Sequence, residues 1–269
     1  MARASAPGFG SGSRPRVLAP GLSPRQMALF CDAPNLGNTA RDVNRTCRGS
    51  LEATVSKPRP KDIAGVVFHV MNRATVGQLL FAGPADYDAF IALARRRQRR
   101  TTIRVLACCL MPNHWHFMLW VEHDAQLKEF IGWLSAIHAM RLRTWSGTRG
   151  KGAVYQDRYL AVPVETDAYF YRVMRYVERN AARAGLVERP EQWPWSSAAW
   201  SYGVEGIDLA AWPLDRPPDW LRFINDEDSP NDVALIRART QAQRPIVRQH
   251  LDVAKLAVRV EARRRKSRR

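Results

Sequence analysis

Between residues 63 and 200 the apolar positions repeat with two different periods, and the switches between them outline the elements. Residues 63–71 (Ile-Ala-Gly-Val-Val-Phe-His-Val-Met) form a nearly unbroken apolar run ended by Asn72-Arg73, which predicts a buried strand. Pro84-Ala85-Asp86 then opens a helix with Tyr87, Phe90, Ile91, Leu93 and Ala94 on one stripe, running out into Arg95-Arg96-Arg97-Gln98-Arg99-Arg100. Residues 103–110 read as a second strand, and Met111-Pro112-Asn113 turns it back into a third, which makes a hairpin. A second helix spans about 127–145, with Leu127, Phe130, Ile131, Leu134, Ile137 and Met140 at helical spacing. After the basic, glycine-rich loop 147–152, residues 154–164 supply the last one or two strands. Thr166 or Asp167 can cap a third helix over 169–183, and Gly185 suits its stop. Strand, helix, two strands, helix, strand, helix is the order of an α+β fold, one antiparallel sheet flanked by helices.

Outside this stretch the pattern fades. Residues 1–58 are rich in Gly, Ser, Pro and Arg, and read as a flexible basic leader or as the product of a misassigned upstream start. Residues 59–203 form the patterned domain. Residues 204–269 read as a loosely ordered extension that ends in the basic tail Arg263-Arg264-Arg265-Lys266-Ser267-Arg268-Arg269.

Composition adds a partner class. In 269 residues, 42 Lys and Arg oppose 25 Asp and Glu, a net charge of +17, which favours polyanions, nucleic acid above all. No apolar run approaches the roughly 20 residues that span a bilayer, so a membrane partner is not expected. The chain's start lacks the long apolar segment of a secretory signal, and Cys31, Cys47, Cys108 and Cys109 have no paired metal-site spacing. They read as reduced thiols of a cytoplasmic, nucleoid-associated protein.

Candidate chemistry begins in the return strand, Met111-Pro112-Asn113-His114-Trp115-His116-Phe117-Met118-Leu119-Trp120. A strand's side-chain period of two puts His114 and His116 on one face, about 7 Å apart along the strand. Trp115, Phe117, Leu119 and Val121 share the other face. Two imidazoles so placed are either two ligands of one divalent metal or half-buried histidines of an edge strand. In the third helix Tyr169, Tyr176 and Asn180 fall on one face, which makes Tyr176 a candidate nucleophile and Asn180 a candidate metal ligand. A phenol attacks a phosphate poorly unaided, and a neighbouring cation would help. A tyrosine on a helix stripe is equally a packing residue. His69 is a further possible site residue, whereas His123 and His138 have no supporting pattern and are expected at the surface.

Leu110-Met111-Pro112-Asn113-His114-Trp115-His116, preceded by Phe68-His69-Val70-Met71-Asn72-Arg73, resembles the HUH motif of IS200-like transposases. The segment Arg175-Tyr176-Val177-Glu178-Arg179-Asn180-Ala181-Ala182-Arg183-Ala184-Gly185 is similar to that family's Y-x-x-x-N-P-x-R-A-G helix, and Trp193-Pro194-Trp195-Ser196-Ser197 to the W-P-W-S-S segment of its REP-associated tyrosine transposase branch. The resemblance covers about residues 58–203. It implies a ferredoxin-like HUH nuclease fold and a single-stranded DNA endonuclease and transposase acting at hairpin-forming DNA. His114, His116 and Asn180 would hold Mg²⁺ or Mn²⁺, and Tyr176 would form a 5′-phosphotyrosine link. Arg73, Arg149, Lys151, Arg158, Arg183 and the Arg95–Arg100 run are candidate DNA contacts, and the partner state could be monomer or homodimer. Ala181 departs from the family's proline, so the helix is expected to continue without a kink. Gln156 occupies the family's Q-x-R segment without an assigned role. Two alternatives stay open: a domesticated hairpin-binding protein with little cleavage, and a hydrolase of RNA or other phosphoesters that uses water.

Overall fold

The computed structural model describes residues 65–123, 125–145 and 152–242. The leader 1–58, the tail 243–269 and the loop residues Arg149 and Lys151 lie outside the described residues. The element order is β1 (Val66–Arg73), α1 (Pro84–Gln98), β2 (Arg104–Met111), β3 (His114–Val121), α2 (Ala125–Leu127), a π-helical turn (Lys128–Gly132), α3 (Trp133–Trp145), β4 (Leu160–Pro163), α4 (Asp167–Glu178) and α5 (Asn180–Arg183). A 3₁₀ turn (Pro190–Gln192), α6 (Ser197–Trp200), α7 (Trp220–Asn225) and α8 (Pro230–Ala242) follow. The four strands form one antiparallel sheet in the order β2-β3-β1-β4. With two strand–helix–strand units this is the ferredoxin-like arrangement.

Strand parity divides the sheet cleanly. On one face Phe68 pairs with Leu119, Val70 with Phe117 and Asn72 with Trp115. There Phe90 of α1 packs on Trp115, and Phe130 of the π turn packs on Phe117. Each such fully buried aromatic contributes about 2 kcal/mol of transfer free energy. The opposite face presents Met71 beside His116, Arg73 beside His114 and His69 beside Met118. Cys109 and Met111 of β2 extend it, and α4 covers it.

The W-P-W-S-S segment is a brace on the β2 edge. Leu110 donates its N–H to the Trp195 carbonyl at 2.9 Å, and Trp193 Nε1 donates to the Leu110 carbonyl at 2.8 Å. Trp195 stacks on Tyr87 of α1 at 4.0 Å between centroids.

Three expectations change. Residues 204–242 are packed rather than loose: Ile207, Trp220, Ile224 and Ile236 are buried, and α7 and α8 lie against α4. His138 is a core residue rather than a surface one, because it lies one turn after the buried Leu134 on the same helix stripe; its Nδ1 lies 2.7 Å from Tyr155 Oη and its ring stacks on Phe81. The helix expected over 169–183 is interrupted at Arg179, where ψ opens to −2°. Arg179 is also where the guanidinium is drawn to the Ile224 carbonyl and Asp228. The helix resumes as α5, and Gly185, at φ +68°, ends it with Leu186 N–H on the Ala181 carbonyl. His123 is exposed, as expected.

Candidate active site

The floor of the site is the polar end of β3. The Pro112-Asn113 turn starts the strand at His114, so both histidines sit where the sheet meets α4 and α5. The rings of His114 and His116 lie 5.0 Å apart and nearly perpendicular. His116 is buried, while His114 keeps part of its surface open. Burial and the positive charges of Arg73 and Arg183 push His114 down to about 3, opposed by the ring's hydrogen bond to the Asn180 side chain. Burial and the neighbouring His114, His69 and Arg183 push His116 well below the ordinary histidine value. Both rings are therefore neutral at pH 7 and keep a lone pair for a ligand.

α4 supplies the roof. Thr166 caps it, accepting from Tyr169 N–H at 3.2 Å. Phe170, Val173, Met174 and Val177 bury its inner face, and this phase carries Tyr176 over the histidines. The Tyr176 ring lies 5.8 Å from His116 and 6.0 Å from His69, edge-on to both. Arg183, one turn beyond Asn180, lies 4.0 Å over the Tyr176 ring and donates to the Tyr176 carbonyl at 2.9 Å. Its other nitrogen reaches Asp228 at 3.0 Å. Tyr176 remains half-buried, so the ring is held without being sealed.

Asn180, though after the helix break, still faces the histidines. Its side chain hydrogen-bonds His114 in the sense that favours the ring proton, and its Nδ2 is buried without a partner. Asn113 Oδ1 meets His114 Nδ1 at 2.7 Å. A neutral ring carries one proton and here meets two oxygen acceptors, a mismatch that a bound cation would relieve. Two imidazole nitrogens and an amide oxygen are a donor set that a divalent ion can take, the oxygen suiting Mg²⁺ or Mn²⁺ and the imidazoles the later first-row metals. Among the described residues no group of three His, Cys, Asp or Glu side chains is arranged to hold a metal. A cation would therefore depend on Asn180 as well as on the histidines.

The sequence candidates thus separate. His114, His116, Tyr176, Asn180 and Arg183 come together, and Arg73 joins them through its register opposite His114. Arg158 is exposed in the loop before β4, and Gln156 is exposed nearby with its N–H on the Arg73 carbonyl. Among the Arg95–Arg100 run, Arg95 pairs with Glu205 and Arg97 donates to the Glu129 carbonyl. Two contributors lacked any stated sequence role: Asn113, whose signal was its place in the turn before His114, and Asp228, which no local pattern marks.

Residues 63–180 match the model of the family described as transposase IS200 like. Over these residues the chain is similar to that family. A solved structure described as a REP-associated tyrosine transposase bound to a REP hairpin is similar at 16% identity, covering 61% of this chain and 95% of its own, with a TM-score of 0.41. Among curated proteins none matches the chain. No helix among the described residues is long and apolar enough to cross a membrane.

Proposed function

We propose that this chain is a metal-dependent endonuclease and transposase that cleaves single-stranded, hairpin-forming DNA through a 5′-phosphotyrosine link to Tyr176. The observation that carries the reading is the placement of a half-buried tyrosine ring 5.8 Å from one of two neutral histidines on a single strand face. Mg²⁺ or Mn²⁺ held by His114, His116 and Asn180 would polarise the scissile phosphodiester and offset charge developing on its oxygens.

The chain's own residues then divide the work. Tyr176 Oη attacks phosphorus, its proton leaves to solvent, and the upstream 3′ oxygen departs and takes up a proton as a free 3′-OH. The phosphotyrosine conserves the phosphoester, so a second 3′-OH can displace the tyrosine without a nucleotide cofactor. Arg183 fixes the tyrosine from above, and Arg73 brings positive charge to the open side of His114, where a phosphate would enter. Arg149, Lys151 and Arg158 are proposed backbone contacts.

Purified protein, Mn²⁺ and an end-labelled hairpin oligonucleotide test the proposal. Wild type is expected to give a protein–DNA adduct and a free 3′-OH fragment. Tyr176→Phe should give neither, and His114→Ala should lose at least about a hundredfold in rate, the scale of removing transition-state charge stabilisation, with DNA affinity changed little. Tight binding with no cleavage by wild type would instead identify a hairpin-binding protein.

A further inference from the structure

A third imidazole lies under the histidine pair. His69 is on β1, opposite Met118, two residues from the partner position of His116. Diagonal neighbours of this kind share a sheet face and lie within reach of each other's side chains. The His69 and His116 rings are stacked, 5.1 Å between centroids and 19° from parallel, with His69 Nε2 2.9 Å from His116 Nδ1. Both residues are almost fully buried. The other nitrogen of His69, Nδ1, is buried without a partner, so the ring's one polar contact is spent on His116.

We infer that His69 is a positioning residue: it accepts the Nδ1–H of His116 and so leaves the His116 Nε2 lone pair free for a metal ion. Between two neutral imidazoles one nitrogen donates and the other accepts, and the choice sets which His116 nitrogen is bare. The neighbouring histidine shows the same device with a different residue. Asn113 Oδ1 can only accept, so at 2.7 Å it takes the Nδ1–H of His114 and leaves that ring's Nε2 bare. With His69 acting likewise, both histidines present the same nitrogen, each fixed by a second residue of its own. Metal-bound histidines are generally oriented this way, and loss of the orienting partner weakens metal binding about 10- to 100-fold. His69 also lies edge-on to Tyr176 at 6.0 Å, so the same ring helps to set the gap between nucleophile and ligand.

The inference rests on the metal site proposed above, and its test separates the two. Full-length protein with ¹⁵N-labelled histidine reports tautomers by NMR without metal, and Mn²⁺ titration by calorimetry reports affinity. In metal-free wild type His116 is expected as the Nδ1–H tautomer. His69→Gln, whose amide oxygen can stand where Nε2 stood, should keep that tautomer and bind Mn²⁺ within about threefold of wild type. His69→Leu should lose the fixed tautomer and bind about 10- to 100-fold more weakly, while thermal melting shows it folded. An Nε2–H tautomer for His116 in metal-free wild type would overturn the inference. So would equal Mn²⁺ affinity in folded His69→Leu. A wild type that binds no Mn²⁺ but holds His116 as Nδ1–H would overturn the metal reading and leave the positioning role standing.

Discussion

The ring of His138 lies between Phe81 and Tyr155 Oη, and it shows how burial fixes a charge state in this protein. Burial and the nearby Arg141 hold it down to about 3. In the unfolded chain it would take a proton near 6.5. Unfolded molecules therefore bind more protons than folded ones as pH falls below 6.5, and stability declines over that range until the folded ring itself protonates. The expected outcome is a melting temperature that holds above pH 7 and falls between pH 6.5 and 4. His138→Gln, with no proton to take, should melt lower at pH 7 but fall less steeply on acidification. A parallel fall in both would contradict this account. The residue was legible in sequence only as a polar letter in an apolar stripe. Four residues after the buried Leu134, it falls on the same stripe of α3. Ile137 is half-buried and Met140 exposed, whereas His138 lies in the core.

At the scale of elements, local signals were readable and long-range ones were not. The hairpin, the Thr166 cap and the Gly185 stop each depend on residues within a few positions of one another, and all three appear as the spacing predicts. The attachment of residues 204–242 to α4 depends on partners some 40 to 50 residues apart. Glu178, at the end of α4, is buried, and burial raises its carboxyl although two donors oppose the shift. Trp220 Nε1 donates to it at 2.7 Å and Ser197 Oγ at 2.9 Å. Glu178 thereby joins the tyrosine helix to both the W-P-W-S-S segment and α7. Arg175, Arg179 and Arg183 add carbonyl and carboxylate contacts to residues 224–228. Gly206 belongs to the same attachment, since a Cβ there would run into the Trp200 indole. Trp220→Phe preserves most of the packing but removes one donor from a buried carboxyl group. It should destabilise the fold by about 1–3 kcal/mol in urea titration, and no loss would mean that the extension does not anchor the helix.

For the whole molecule, the sheet is a partition: an aromatic core on one face and the candidate site on the other, both written into alternate residues of one strand. The sequence motifs located the histidines, Tyr176 and Asn180. Their closeness follows from β3 lying at the centre of the sheet and from α4 crossing its polar face, which no local spacing encodes. The charge of +17 should appear in binding: affinity for hairpin DNA is expected to fall steeply with salt, with a slope reduced by about one for each phosphate-contacting residue removed, as in Arg73→Ala or Arg158→Ala. A flat salt response would remove the backbone contacts from the account. The central claim is that Tyr176 is the atom donor of the covalent link. Its most direct test is digestion of the Mn²⁺-dependent protein–DNA adduct followed by mass spectrometry of the nucleotide-bearing peptide. The account predicts the modification on Tyr176 alone. A link on another residue, or a free 5′-phosphate product formed with no adduct at any time, would contradict it.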